Sequence, residues 1–209
     1  MQASPLAHHF ESLDKQAHAA RLAMWIFLAT EILLFTALFA AYAVYRFLFG
    51  EAFAEASRSI ETWIGFVNTI ILVTSSFTVA TGLHHATRGE GKRTALFFGL
   101  SVLLALAFLG FKAVEYTHHF QEGQLPGAYY TYEGVKAPGA SLFFSLYFLI
   151  TGLHAFHVIV GMTVLVVVGT LAWRGHYTAE YHVAVENAAL YWHLVDLIWI
   201  FVFPLIYLI

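Results

Sequence analysis

The chain has 209 residues, of which 60% are hydrophobic and 11% charged, with no cysteine and a formal net charge of -3. Soluble domains carry roughly a quarter charged residues, so the charged surface available here is too small for water to be the main solvent. The lack of thiols excludes disulfides, thiolate-held iron–sulfur clusters and thiolate copper sites, and the small net charge with no run of like sign gives no footprint for nucleic acid.

About twenty apolar residues are needed to cross the roughly 30 Å of hydrocarbon in a bilayer. Five runs reach that length: residues 22–47, 63–83, 95–116, 140–173 and 188–209. They predict an all-α, polytopic membrane bundle over residues 22–209, preceded by a cytoplasmic N-terminal segment over residues 1–21. The first run is too long for a signal-peptide core and carries Glu31 within it, while Glu11, Asp14, Lys15 and Arg21 precede it, so it reads as a retained helix. In the second run Asn68, Ser75 and Gly82 recur every seven residues, a small polar seam that lets a neighbouring helix approach closely. The third run ends on Lys112 and Glu115, spaced i, i+3, with His118 and His119 beyond. A salt bridge snorkelling to the interface accounts for them, and a site for an anionic lipid head group built from Lys112, Glu115 and His119 is the sharper alternative.

The fourth run places His154, His157 and Gly161 on one helical face, and it exceeds the bilayer thickness, so it must tilt, bend near Gly152 or Gly161, or project. The fifth places His193, Asp196 and Ile200 on one face, and His182 and Glu186 lie one turn apart at its start, where they could hold a cation or simply be solvated. Trp25, Trp63, Trp173, Trp192 and Trp199 lie mostly near run ends, where indoles anchor at the headgroup level. The links at residues 51–61, 84–93, 121–136 and 174–186 hold most of the charge. With the N-terminus cytoplasmic, that side has Lys15, Arg21, Arg88, Lys92, Arg93 and Arg174 against Arg46, Arg58 and Lys136 on the other, which is also acidic through Glu51, Glu55, Glu61, Glu122 and Glu133. The excess of basic residues predicts a cytoplasmic N-terminus and a periplasmic C-terminus.

A carboxylate at mid-membrane costs at least ~2.5–3.5 kcal/mol, so each needs a partner, a proton or a function. At 1.5 Å rise per residue, Glu31 lies about 13 Å, His193 about 7 Å and Asp196 about 12 Å from the cytoplasmic starts of their helices, with His154 and His157 about 21 and 25 Å from the outer face. All five share one depth zone and predict a buried carboxylate–imidazole network. Three readings apply to it: hydrogen bonds that hold helices together, each worth ~0.6–2 kcal/mol, a role in proton movement, or direct metal ligation.

Four stretches carry a resemblance. ITGLHAFHVIVG (residues 150–161), ENAALYWHLVDLIWIFVFPLIYL (186–208), NTIILVTSSFTVA (68–80) and MWIFLATEILLF (24–35) resemble subunit III of the haem–copper terminal oxidases, and FLGFKAVEY (108–116) matches more loosely. They cover all five runs in the family's order. The resemblance implies an all-α accessory subunit without haem or copper of its own, packed on the catalytic subunit I of a complex that also contains subunit II and small subunits. Electrons from cytochrome c would reach haem and copper in those partners. It further implies a multi-pass protein of the bacterial inner membrane that stabilises the catalytic subunit, binds structural phospholipid and supports proton uptake. By that resemblance Glu31 matches the family's intramembrane glutamate, His154 and His157 match its pair of histidines, and Glu186, His193 and Asp196 match its last-helix motif. The longer members have two further helices before the glutamate-bearing one, so this chain looks like the short, five-helix form. The FPLIYL ending and the YWHLVD segment favour a cytochrome c oxidase over a quinol oxidase. From the residues alone, a haem b anchor clamped by His154 and His193 is an alternative, as is a small transporter using the intramembrane carboxylates, although no internal repeat relates the two halves.

Overall fold

The computed structural model describes residues 6, 8, 10–132, 134, 135 and 137–208. Glu133 and Lys136, counted above among the outer-loop charges, lie outside the described residues, as do the first five residues and Ile209. The helices are α1 (Leu13–Leu48), α2 (Gly50–Ser57), α3 (Thr62–Ala86), α4 (Gly91–Gln121), α5 (Ala140–Trp173) and α6 (Val183–Tyr207). A single 3-10 turn over Gly127–Tyr129 and an isolated bridge between Gln124 and Tyr130 complete the regular structure among the described residues. Five of the helices, all but α2, are long and apolar enough to cross a membrane.

α1, α3 and α4 outrun their apolar stretches at both ends and α6 at its start, because hydrophobicity marks the hydrocarbon and caps mark the helix, whereas α5 coincides with its stretch. α1 starts nine residues earlier than its run, where the Ser12 hydroxyl accepts from the Lys15 amide at 3.3 Å and Asp14 meets the positive end of the helix dipole. Within residues 51–61, expected as a loop, α2 forms instead, because Ala52, Phe53 and Ala56 give eight residues one buried face. α5 runs unbroken through Gly152 and Gly161, so its 34 residues, about 51 Å of helix, accommodate the mismatch by projecting or tilting rather than bending.

α3, α4, α5 and α6 close a four-membered ring in which each packs on its two sequence or spatial neighbours, α3 against α6 completing the circuit. α1 lies outside that ring on α5 and α6, and α2 folds back onto α5. The seam of α3 faces inward: Asn68 and Ser75 are fully buried, and a side chain at Gly82 would lie 2.8 Å from the Phe98 ring of α4. At Gly161 of α5 the equivalent clash would be with Trp192 of α6, also at 2.8 Å. Trp25, Trp63 and Trp173 are about 60% exposed, as anchors are, whereas Trp192 and Trp199 are wholly buried pillars of the ring. Trp192 lies near a run end yet faces inward, because the buried face of α6 extends along the helix from Val185 to Tyr207.

Candidate functional site

The polar residues expected at one depth fall into separate groups. On the outside of the ring, Glu31 of α1 meets His157 of α5, with carboxylate Oε2 2.8 Å from ring Nε2. The other ring nitrogen, Nδ1, donates to the Leu153 carbonyl at 2.8 Å, as histidines one turn along a helix can. One proton in the carboxylate–imidazole contact then satisfies both partners. Phe35 stands edge-on to the imidazole with centroids 5.2 Å apart, and Tyr191 donates to the His157 carbonyl at 3.3 Å.

Inside the ring, His154 is completely buried with neither ring nitrogen bonded to protein. Its ring lies between Phe108, 5.7 Å away, and Trp199, 5.0 Å away. His193 turns toward α3, where its Nδ1 lies 2.6 Å from the Ser76 hydroxyl. Asp196 is 3% exposed, and its carboxyl interacts with the same Ser76 side chain without a close hydrogen bond. His154 and His193 therefore face different neighbours, His154 toward Phe108 and Trp199 and His193 toward Ser76. The transporter alternative lacks its structural mark as well, since all five membrane-length helices are continuous. Among the described residues no three His, Asp or Glu side chains converge as metal ligands would.

Lys112, Glu115 and His119 are buried in the bundle, at 3%, 1% and 1% exposure, rather than snorkelled to the headgroups. Lys112 Nζ donates to Glu115 Oε2 at 3.0 Å, to the Tyr147 hydroxyl at 3.1 Å and to the Tyr207 hydroxyl at 2.9 Å. Both tyrosine hydroxyls in turn donate to Glu115 Oε1 at 2.7 Å. The ammonium also stands over the rings of Tyr116 and Tyr147, 4.9 Å from each centroid. His119 bonds through Nδ1 to Gln124, which tethers the following loop. α4, α5 and α6 are thus joined by one closed set of bonds. The spacing of Lys112 and Glu115 signals the pair, but nothing local signals Tyr147 and Tyr207, 32 and 92 residues beyond Glu115.

At the opposite end, Glu186 of α6 lies 3.1 Å from His182 Nε2 and accepts from Arg21 of α1, at 2.7 Å from Nε and 3.2 Å from Nη2. Arg21 is the residue that the reading of His182 and Glu186 as a cation site did not include, and it supplies the positive charge itself. Asn187 donates to the Ala20 carbonyl at 3.3 Å beside it. The same end carries the α3–α4 turn, where Glu90 meets His85 at 2.6 Å and Arg93 at 2.8 Å. Those two hydrogen bonds, His85 first, hold the Glu90 carboxyl below its usual range.

This arrangement, helices bonded to one another by inward polar groups, can be set beside known proteins. The family model described as cytochrome c oxidase subunit III matches residues 8–209. The chain belongs to the cytochrome c oxidase subunit III family. Among members named cytochrome c oxidase subunit 3, that of Synechocystis sp. is 32% identical over 187 residues, 88% of this chain and 72% of the relative. That of Thermostichus vulcanus is 31% identical over 191 residues, 90% of this chain and 86% of the relative. The Arabidopsis thaliana member is 38% identical over 149 residues, 71% of this chain, and the chain spans about half of that relative's length, 51%. As a subunit III family member with five membrane-length helices, the chain is a multi-pass membrane protein.

Proposed function

We propose that this chain serves as the accessory subunit III of a cytochrome c oxidase, carrying no redox centre of its own and bracing the catalytic subunit. The observation that carries this reading is the match to the subunit III family over residues 8–209, with relatives named for cytochrome c oxidase rather than quinol oxidase. The bonding pattern supports it, because Glu31, Lys112, Glu115, His157 and Glu186 are each engaged between helices, as a scaffold requires. Haem and copper would reside in subunits I and II, and cytochrome c would reach the complex only through them. The basic residues gathered at the end of the bundle that holds Arg21, Arg88, Lys92, Arg93 and Arg174 support a cytoplasmic N-terminus in a bacterial inner membrane. Structural phospholipid on the exposed apolar faces and support of proton uptake belong to the same reading, with the Glu31–His157 pair as the polar group within reach of the membrane interior.

Purification in mild detergent through a tag on this chain tests the proposal. The expected result is co-purification with haem-bearing and copper-bearing subunits that oxidise reduced cytochrome c. Recovery of the chain alone from membranes with an active, complete oxidase would count against it. A reduced-minus-oxidised haem band in the isolated chain would restore the haem-anchor alternative.

A further inference from the structure

The basic side chains at the Arg21 end of the bundle are unequally engaged. Arg21 is bonded to Glu186, and Arg93 shares Glu90 with His85. Lys92 at the start of α4 and Arg174 at the end of α5 are exposed and meet no carboxylate among the described residues. The other carboxylate of the turns at this end, Glu180, lines the pocket beside the start of α1. Lys92 and Arg174 flank one corner, because the two helices touch there through backbone: a side chain at Gly91 would run into the Ala172 carbonyl. Trp173, 59% exposed, marks the headgroup level beside them.

From this corner an open groove of about 260 Å³ descends between α4 and α5, lined by Ala95, Gly99 and Val102 on one wall and Leu165, Gly169 and Thr170 on the other. Lys92, Ala95, Gly99 and Val102 recur at i, i+3, i+7 and i+10, so the lysine tops the α4 wall. Arg174 follows Thr170 by one turn and tops the α5 wall in the same way. A side chain at Gly99 would meet nothing within 4 Å, so the protein leaves the groove unfilled. The Thr170 hydroxyl donates to the Val167 carbonyl at 2.8 Å, which leaves the walls below Trp173 without a free hydrogen-bonding side chain. Ala95 to Val102 covers about 11 Å of depth, and 260 Å³ spread along it is far narrower than a helix about 10–12 Å across. A single extended hydrocarbon chain fits where a helix does not. A positive mouth over an apolar slot matches a molecule with an anionic head and an alkyl tail, as basic pockets between membrane helices do. We propose that the α4–α5 groove binds one anionic phospholipid, with Lys92 and Arg174 holding its phosphate and one acyl chain laid in the slot. The inference rests on the reading of this chain as a membrane subunit that holds structural phospholipid, and it specifies the headgroup charge and the place. Lys112, by contrast, is enclosed and satisfied by Glu115 and two tyrosines, so it has no bond left for a headgroup.

The test uses the tagged chain with whatever subunits accompany it, purified in mild detergent and stripped of lipid. Dioleoylphosphatidylglycerol or dioleoylphosphatidylcholine is then added back, and native mass spectrometry reads how much of each is retained. The two share acyl chains and phosphate, so the comparison isolates the net charge of the headgroup. Phosphatidylglycerol should be held more tightly, and Lys92→Gln with Arg174→Gln should weaken its binding by about thirtyfold. Arg58→Gln, a basic residue at the other end of the bundle, should leave it unchanged. Gly99→Leu, which fills the slot without altering a charge, should also lower retention. Other faces of a membrane protein carry lipid too, and the difference between each variant and the parent isolates this groove. Equal retention of the two lipids by the parent, or unchanged phosphatidylglycerol binding in the double variant or in Gly99→Leu, would overturn the proposal. Haem-bearing subunits in the same preparation report on the oxidase reading separately: their absence counts against that reading, and their presence without lipid selectivity counts against this site alone.

Discussion

Lys112 is the one lysine or arginine buried among the described residues, and every bond of its ammonium is internal. Removing one member of a buried ion pair leaves an uncompensated charge, at a cost of about 3–5 kcal/mol, whereas replacing both by apolar groups of similar volume is close to neutral. Glu115→Gln should therefore lower the thermal unfolding temperature of the purified protein sharply, while Lys112→Met with Glu115→Leu should recover most of the loss. Equal stability of the single variant and the parent would refute the closed set of bonds. What the sequence disclosed at this scale was the chemistry and not the direction: the i, i+3 spacing announced a pair, but the depth of the pair depends on Tyr147 and Tyr207. Likewise Glu31, His157, His193 and Asp196 are conspicuous as ionisable residues in apolar runs, yet their sorting into an outer pair and two side chains at Ser76 depends on helix rotation. Spacing within one helix does not determine that rotation relative to its neighbours.

Elements were legible to the extent that the hydrocarbon dictates them. All five membrane-length helices lie where twenty-residue apolar runs predicted, and where their ends differ, as at the start of α1, the helix is set by a capping residue such as Ser12 beyond the run. α2 escaped notice because eight residues with two glutamates carry too weak a pattern until Phe53 is seen edge-on to Phe143. The polar ends of the elements titrate and can be tested. The depressed Glu90 carboxyl contributes stability that is fully present above the ordinary carboxylate range and is lost as pH falls through the lower value of the folded protein. Amide exchange at residues 87–91, corrected for intrinsic rate, should therefore accelerate on acidification from pH 6 to pH 3, and Glu90→Gln should abolish the pH dependence. At the same end, the Arg21–Glu186 bridge is partly exposed, with side chains 44% and 23% accessible, so it is worth roughly 0.2–1 kcal/mol. Arg21→Ala should raise exchange over residues 13–22 by up to about fivefold without moving the unfolding midpoint of the whole protein. A large global loss would mean that the bridge holds more than the projecting start of α1.

At the scale of the molecule, the ring and α1 are held by different means. α3 to α6 interlock through glycine contacts, buried tryptophans and the closed set of bonds around Lys112, while α1 rests on α5 and α6 with open grooves along both flanks. One groove is lined by Ile32, Phe35, Phe39, Leu197 and Phe201, the other by Met24, Phe27, Val160, Val164 and Tyr191. In hydrocarbon such apolar surfaces gain little from meeting each other rather than lipid, so the polar Glu31–His157 contact carries a large share of what positions α1. An interhelical polar contact of this kind is worth ~0.6–2 kcal/mol, which corresponds to about a threefold to thirtyfold change in the balance between docked and undocked α1. Glu31→Leu should then raise amide exchange or protease sensitivity along Leu13–Leu48 by that factor and leave the ring helices as protected as before. If protection falls equally in α1 and in α6, then α1 is integral to the ring's stability. The Glu31–His157 pair would then be a core bond, and its placement on the outside of the bundle would lose its functional meaning.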